Sequence, residues 1–282
     1  MCTVTIVPLA SETSVVARNG TIASEFSDDG FRLACNRDES RIRPYALPPM
    51  ERRAGPRRFL MPLDPVSSGT WIAVNDCGLT LTLLNVYDFR PQGDCSDDES
   101  GNEQVRKRPL GDRMPHHRSR GTIIPKLMVH AEVRECMSDA AALDPADFPP
   151  FRLVMVDRAN VAEVCSDGRT LSSLLAPRQP RPILFTSSGL GDHVVEPLRR
   201  RLFEELFSKA ENWSAEQDRF HHHRWPDRPD VSVCMIREDA KTVSHTVIEC
   251  RSGCVRLVYE PEPPDPSTRT VVTELKITES ST

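Results

Sequence analysis

Gly69-Thr70-Trp71-Ile72-Ala73-Val74-Asn75-Asp76-Cys77-Gly78-Leu79-Thr80-Leu81-Thr82-Leu83-Leu84-Asn85 is the clearest local unit in the chain. Two β-rich runs flank an Asn-Asp-Cys-Gly turn in which Gly78 supplies the positive φ that such turns require, so the stretch reads as a hairpin. Asn85 closes the second strand, where an asparagine either stops the strand or offers its side-chain N–H to a developing oxyanion. Further along, Phe151 to Asp157 and Val161 to Cys165 read as a second hairpin. Thr242 to Cys250 and Cys254 to Tyr259 read as a third, around Arg251-Ser252-Gly253. Hairpins with a few interspersed helices indicate an antiparallel α+β domain.

Upstream of the first hairpin, Cys2 to Leu9 alternate as a half-buried strand does, with Val4 and Ile6 on the side of Cys2. Removal of Met1 would leave Cys2 with a thiol and an α-amine of ordinary pKa roughly 8, a nucleophile and its base on one residue. Phe31 to Cys35 is a further strand, ending in the polar run Asn36-Arg37-Asp38-Glu39, which reads as an active-site wall or a solvated turn. Residues 44–66, rich in proline and arginine, read as an irregular loop.

Between Asp88 and Arg118 hydrophobic residues almost vanish, and this stretch reads as a mobile insert; its His116 and His117 have no partner ligands at metal spacing. A helix follows with Pro125 in its first turn, and a shorter one around Ser138 to Leu143. Pro182 to Ser188 is a buried strand ending in Ser-Ser-Gly-Leu-Gly, which lacks the lysine of a phosphate cradle. Asp192 is then expected to cap an amphipathic helix through Val195, Leu198, Leu202, Phe203 and Leu206. His221-His222-His223 falls in a stretch read as solvated loop, and Cys250 and Cys254 are read as strand residues. The chain is expected to form one domain over 1–260, with a Pro/Glu-rich tail over 261–282 in which Thr270 to Ile277 is a weak strand candidate.

The chain has 282 residues, 38% of them hydrophobic, with a net charge of -5, which argues against nucleic acid as the main partner. Basic runs such as Arg52, Arg53, Arg57 and Arg58 alternate with acidic stretches and read as solvated surface. Nine irregularly spaced cysteines and a start without a signal-peptide pattern point to a reducing cytoplasm. No stretch has the roughly 18 to 20 apolar residues of a membrane span.

Met1-Cys2-Thr3, Cys35-Asn36-Arg37-Asp38-Glu39, the hairpin from Gly69 to Gly78 with Leu83-Leu84-Asn85, Ser119-Arg120-Gly121 and Thr242 to Val247 occur in order. With these, the sequence resembles the NRDE family, also called the transport and Golgi organisation protein 2 family, which is similar to N-terminal nucleophile hydrolases of the penicillin V acylase and bile salt hydrolase type. The resemblance implies a four-layer αββα sandwich of two antiparallel sheets flanked by helices. It also implies Cys2 as nucleophile, Asn85 as oxyanion asparagine and Asp38 as the acidic residue beside the terminal cysteine. Asn36, Arg37, Asn75 and Ser187 are expected to position the substrate or the amine. Three positions depart from the acylase pattern. Cys35 stands where the acylases have an arginine, Ser187 or Ser188 replaces a second asparagine, and Val243 or His245 replaces a second arginine.

The expected activity is cysteine-dependent hydrolysis of a small, non-peptide amide C–N bond through a thioester, with a small-molecule substrate, no metal and no cofactor. The competing expectation is a non-catalytic carrier of haem, lipid or acyl-CoA, or a trafficking factor, in which Cys2 is an axial thiolate or has no role.

Overall fold

The computed structural model describes residues 2–10, 15–16, 22–23, 28–87, 118–263 and 269–278. In chain order the first strands are β1 (Cys2–Ala10), the short pair β2 (Val15–Val16) and β3 (Ile22–Ala23), β4 (Asp28–Ser40), β5 (Leu47–Ala54), β6 (Arg57–Leu63), β7 (Ile72–Asn75) and β8 (Thr80–Asn85). Helices α1 (Ile123–Leu127) and α2 (Val133–Ala141) precede β9 (Phe151–Val156), β10 (Asn160–Ser166), β11 (Leu171–Pro177) and β12 (Ile183–Ser187). The chain continues with α3 (Asp192–Phe207), α4 (Trp213–His221), β13 (Ala240–Arg251), β14 (Cys254–Pro261) and β15 (Val271–Lys276).

The strands form a six-stranded sheet in the order β12-β1-β4-β13-β14-β15 and a seven-stranded sheet in the order β11-β10-β9-β8-β7-β6-β5. Every pairing within both sheets is antiparallel. Alternation along the strands dictates how they stack. Cys2, Val4 and Ile6 of β1, with Phe31, Leu33 and Cys35 of β4, meet Leu60, Trp71, Ile72, Leu84 and Val154 of the other sheet in one interlayer core. The reverse face of the seven-stranded sheet, including Leu81, Leu83, Leu153 and Met155, packs on Ile124, Leu127, Val133 and Cys136 of α1 and α2. Val7 and Leu184 turn the other way and pack on Leu202, Phe203, Phe207 and Phe220 of α3 and α4. Three apolar seams between four layers make an αββα sandwich, the architecture implied by the resemblance.

Several local expectations are corrected. Residues 44–66 are no irregular loop: β5 and β6 form a hairpin through Gly55, whose φ is 56°. Pro48 and Pro49 fit because β5 is the sheet edge and its register shifts between Leu47 and Met50, where missing N–H groups break no ladder. Helix α2 begins five residues earlier than Ser138 because the Asp157 carboxylate, distant in sequence, accepts the Val133 N–H at 2.8 Å. Asp192 is the first residue of α3 rather than its cap; Gly191 caps it, and the Asp192 carboxylate accepts the Ser188 N–H at 2.8 Å. His221 ends a helix instead of lying in a loop: Asn212 caps α4, Arg32 ion-pairs with Asp218 at 2.6 Å, and Gln217 donates to the Thr5 carbonyl at 3.1 Å. In the stretch read as a tail, β15 pairs with β14 and forms an edge of the six-stranded sheet. The expected insert, with His116 and His117, lies outside the described residues apart from Arg118. Among the described residues no helix is long and apolar enough to cross a membrane.

Two separated family motifs meet at Gly69 and Gly121. The Thr70 N–H donates to the Gly121 carbonyl at 3.0 Å, and a Cβ on Gly69 would overlap the Gly121 backbone. Gly69→Ala is therefore expected to lower stability by about 1 to 3 kcal/mol. Urea unfolding should show this as a lower midpoint at an unchanged m-value.

Candidate functional site

Strand β1 is flanked by β12 and β4, so its first residue is paired on both sides: Cys2 stands opposite Ser187 and opposite Arg37. The Cys2 backbone N–H donates to Ser187 Oγ at 3.3 Å. Its side chain, 4% exposed, belongs to the interlayer core. There it meets Cys35, which follows the same inward alternation on β4. Cys35 holds the Cys2 pKa below the usual thiol value although burial opposes this. Cys35 shifts the opposite way and is pushed well above the usual value, first by Cys2 and then by burial. Thr82 of β8 stands across the interlayer with its Oγ1 3.9 Å from Cys35 Sγ and 3.2 Å from the Trp71 carbonyl.

Arg37 shares the inner face. Its guanidinium lies 4.2 Å from the Trp71 ring centroid and donates to Asp64 at 2.5 Å. Asp64 also receives Arg43 Nε at 2.8 Å and the N–H groups of Val66 and Ser67. Burial alone would raise the Asp64 carboxyl, but the hydrogen bonds from Arg43 and Ser67 and the Arg37 charge outweigh it and hold the pKa below the ordinary carboxylate range. Arg120, of the Ser-Arg-Gly motif, donates to the Pro150 carbonyl at 2.7 Å. Burial lowers its pKa, while Tyr87, Glu39 and Cys2 act in the opposite sense, which places it in the electrostatic surroundings of Cys2.

Asn36 and Asp38 lie on the opposite face of β4, toward α3 and α4. Asn36 donates to the His221 and Val233 carbonyls at 2.8 and 3.0 Å and faces His221 Nδ1 through its Oδ1 at 3.1 Å. Asp38 accepts from Thr242 Oγ1 at 2.6 Å. Burial raises its pKa, partly offset by the charge of Arg199 and the Thr242 hydroxyl. Arg199 of α3 is buried and donates to Thr3 Oγ1 at 2.6 Å, Thr186 Oγ1 at 2.9 Å, and the Val231 and Ser232 carbonyls. The four-residue polar run thus splits by period two. Arg37 joins the layer of the Cys2 thiol, and Asn36 and Asp38 join the layer behind it.

Two expected site residues serve elsewhere. Asn75 builds the turn of its hairpin: its Oδ1 accepts the N–H groups of Cys77 and Leu79, and its Nδ2 donates to the Met128 and His130 carbonyls. Asn85 pairs with Phe151, a residue of the helix-side seam, and its Nδ2 donates to Tyr87 Oη at 2.9 Å. By alternation Thr82 and Leu84, not the Asn85 side chain, face the layer of Cys2. The residues not anticipated are Cys35 and Thr82, which look like ordinary strand residues, and Arg120 and Arg199. Arg199 left one signal in the sequence: a charge between Val195 and Leu202 on the apolar stripe of a helix.

The molecule is thus an αββα sandwich with a thiol pair at the head of an interior strand. A family model described as Transport and Golgi organisation 2 matches residues 24–227, and the chain belongs to that family. Similar solved structures include the Caenorhabditis elegans ortholog of N-acylethanolamine-hydrolyzing acid amidase, with 10% identity, a TM-score of 0.47, and coverage of 87% of this chain and 92% of that one. A mutant conjugated bile acid hydrolase from Clostridium perfringens has 9% identity, a TM-score of 0.45, and coverage of 98% of each chain. No curated protein matches.

The Asp64 cluster sets an acid dependence. Because the folded carboxyl is held low, its contribution is complete above the unfolded value of about 3.9 and is lost as the pH falls through the lower folded value. Asp64→Asn leaves the buried Arg37 with only the partly exposed Glu39 carboxylate at 3.3 Å and is expected to cost about 3 kcal/mol at neutral pH. In denaturant titrations across the acid range, the variant should show a shallower loss of stability below pH 4 than the parent.

Proposed function

We propose that this chain is an N-terminal cysteine hydrolase that cleaves a small amide C–N bond through a thioester. The observation carrying this reading is Cys2 at the head of β1, sharing the inner face with Cys35 of β4, with Ser187 Oγ 3.3 Å from the Cys2 nitrogen. Loss of Met1 turns that nitrogen into an α-amine with Ser187 in place to hold it. The Cys2 thiolate adds to the acyl carbon, forming the C–S bond and a tetrahedral oxyanion; as that collapses, the C–N bond breaks and the α-ammonium gives its proton to the departing amine. Water, losing a proton to the same amine, then attacks the thioester and releases the carboxylic acid and the thiolate. Asp38, from behind the sheet, favours the ammonium form of the terminus, and Arg37 stays tied to Asp64 as a wall of the site.

The oxyanion donor in this reading is the main-chain N–H of Asn85, not its side chain. Leu83 N–H reaches the Trp71 carbonyl at 2.8 Å on the β7 side, whereas Val86 N–H reaches the Pro150 carbonyl at 3.2 Å on the β9 side. Asn85 N–H therefore points to the β7 side, beyond the last paired residue, Ile72. A donor at that point is worth about 3 to 4 kcal/mol to an oxyanion.

Intact mass after exposure to an activated acyl ester tests the nucleophile. The expected product is Met1-free protein carrying one acyl group, with no adduct in Cys2→Ala and slower labelling at neutral pH in Cys35→Val. Acylated protein that retains Met1, or equal labelling of Cys2→Ala, sinks the mechanism. Asn85→Ala should reduce acylation less than about tenfold. A loss of about 100-fold or more would return the oxyanion role to its side chain.

A further inference from the structure

Behind the six-stranded sheet, three side chains from three elements converge on one point. His222 follows α4, His245 lies on β13 and Glu260 on β14, and their ligand atoms all lie within 4.8 Å of one another. His245 stands opposite Asn36 in the register, on the face turned away from the Cys2 thiol. This cluster is therefore separate from the site described above.

Donor accounting shows what the cluster lacks. His222 Nδ1 lies 2.8 Å from the Asp218 carbonyl and its Nε2 lies 3.0 Å from Glu260 Oε2. Both neighbours are acceptors, while a neutral imidazole carries a single N–H, so one contact needs a second positive centre. The Asp218 carbonyl takes the Nδ1 proton and turns the Nε2 lone pair toward the carboxylate, as backbone carbonyls do for metal-bound histidines. His245 Nδ1 lies 3.3 Å from the same Glu260 oxygen. Its Nε2 is buried with no hydrogen-bond partner among the described residues. The ring is fixed by stacking on His221 at 5.2 Å between centroids.

We propose that His222, His245 and Glu260 bind one divalent ion of the zinc class, fastening the end of α4 to β13 and β14. Tetrahedral zinc with bonds of about 2.0 to 2.1 Å holds its donors roughly 3.3 Å apart. The separations of 3.0 and 3.3 Å from the Glu260 oxygen match two edges of that tetrahedron, and the third, His222 to His245, lies within 4.8 Å and shortens as the ion draws the two rings together. Two imidazoles and one carboxylate suit the borderline softness of zinc, and three protein ligands leave the fourth position for water. His222 and Glu260 are half-buried, so an ion reaches the site from solvent.

The test is titration of chelator-treated, folded protein with Co²⁺ and then Zn²⁺. The expected result is one Co²⁺ per chain with the visible ligand-field bands of a tetrahedral site, displaced by one equivalent of Zn²⁺. Glu260→Gln and His222→Gln should each weaken uptake more than about tenfold, since even an outer-shell partner is worth that much, while His223→Gln should bind as the parent does. Circular dichroism establishes that each variant is folded; the half-exposed His222 position serves if Glu260→Gln is not. Absence of stoichiometric uptake by the folded parent, or undiminished uptake by folded His222→Gln, overturns the proposal and leaves a doubly protonated His222 as the second positive centre.

Discussion

Residues 2–7 of β1 and 30–38 of β4 have no face toward water. Each segment is covered on one side by the opposing sheet and on the other by α3 and α4, so every polar side chain along them must find a partner inside the protein. That constraint accounts for Arg199, whose guanidinium reaches from α3 to Thr3, Thr186 and two carbonyls, and for Thr5 and Asn36, which share the buried His221. It also accounts for the Cys2 environment. A thiol in an apolar interlayer would ordinarily be inert, because burial favours its neutral form. A second thiol on the adjacent strand reverses the balance and lowers the Cys2 pKa.

The same constraint separates fixed charge from the nucleophile. Arg37 faces the interlayer beside Cys2, but its guanidinium is held by Asp64 and laid over Trp71. Asp38 lies behind the sheet with Thr242. Cys35, on the same inner face, and Ser187, at the Cys2 nitrogen, are small and neutral. The arrangement relies on hydrogen bonding across neighbouring strands, where backbone register fixes each distance.

The sequence reveals those parts of the fold that rest on local rules. The hairpin through Gly78 and the alternation of Cys2, Val4 and Ile6 are legible because turn chemistry and period two need no distant partner. The parts it conceals depend on the far chain: α2 starts where it does because of Asp157, and α4 is held by Arg32 and Thr5. Pro48 and Pro49 misled because their tolerance depends on β5 being an edge, which is a property of the assembled sheet. In the site, Cys2 and Ser187 are legible as strand ends, but their pairing across the sheet is not. Asn36, Arg37 and Asp38 are legible as a polar cluster but not as residues sorted to two layers. Asn75 and Asn85 carry suggestive chemistry, yet their neighbours, a turn backbone and Tyr87, occupy their amides.

Chain connectivity distributes the two sheets unequally in time. The seven-stranded sheet is a meander of consecutive strands, β5 to β11, each hydrogen-bonded to its neighbours in chain order. The six-stranded sheet joins β1 and β4 to strands from the other end of the chain, and Cys2 meets Ser187 across 185 residues. The entropic penalty of so long a closure rises only by about 0.6 kcal/mol per doubling, so stability is little affected, but folding slows. At ribosomal speeds of about 5 to 20 residues per second, β1 waits roughly 10 to 40 s for β12 to be made. Throughout that interval the apolar strand carrying Cys2 keeps one unpaired edge, the feature most prone to pairing with another nascent chain.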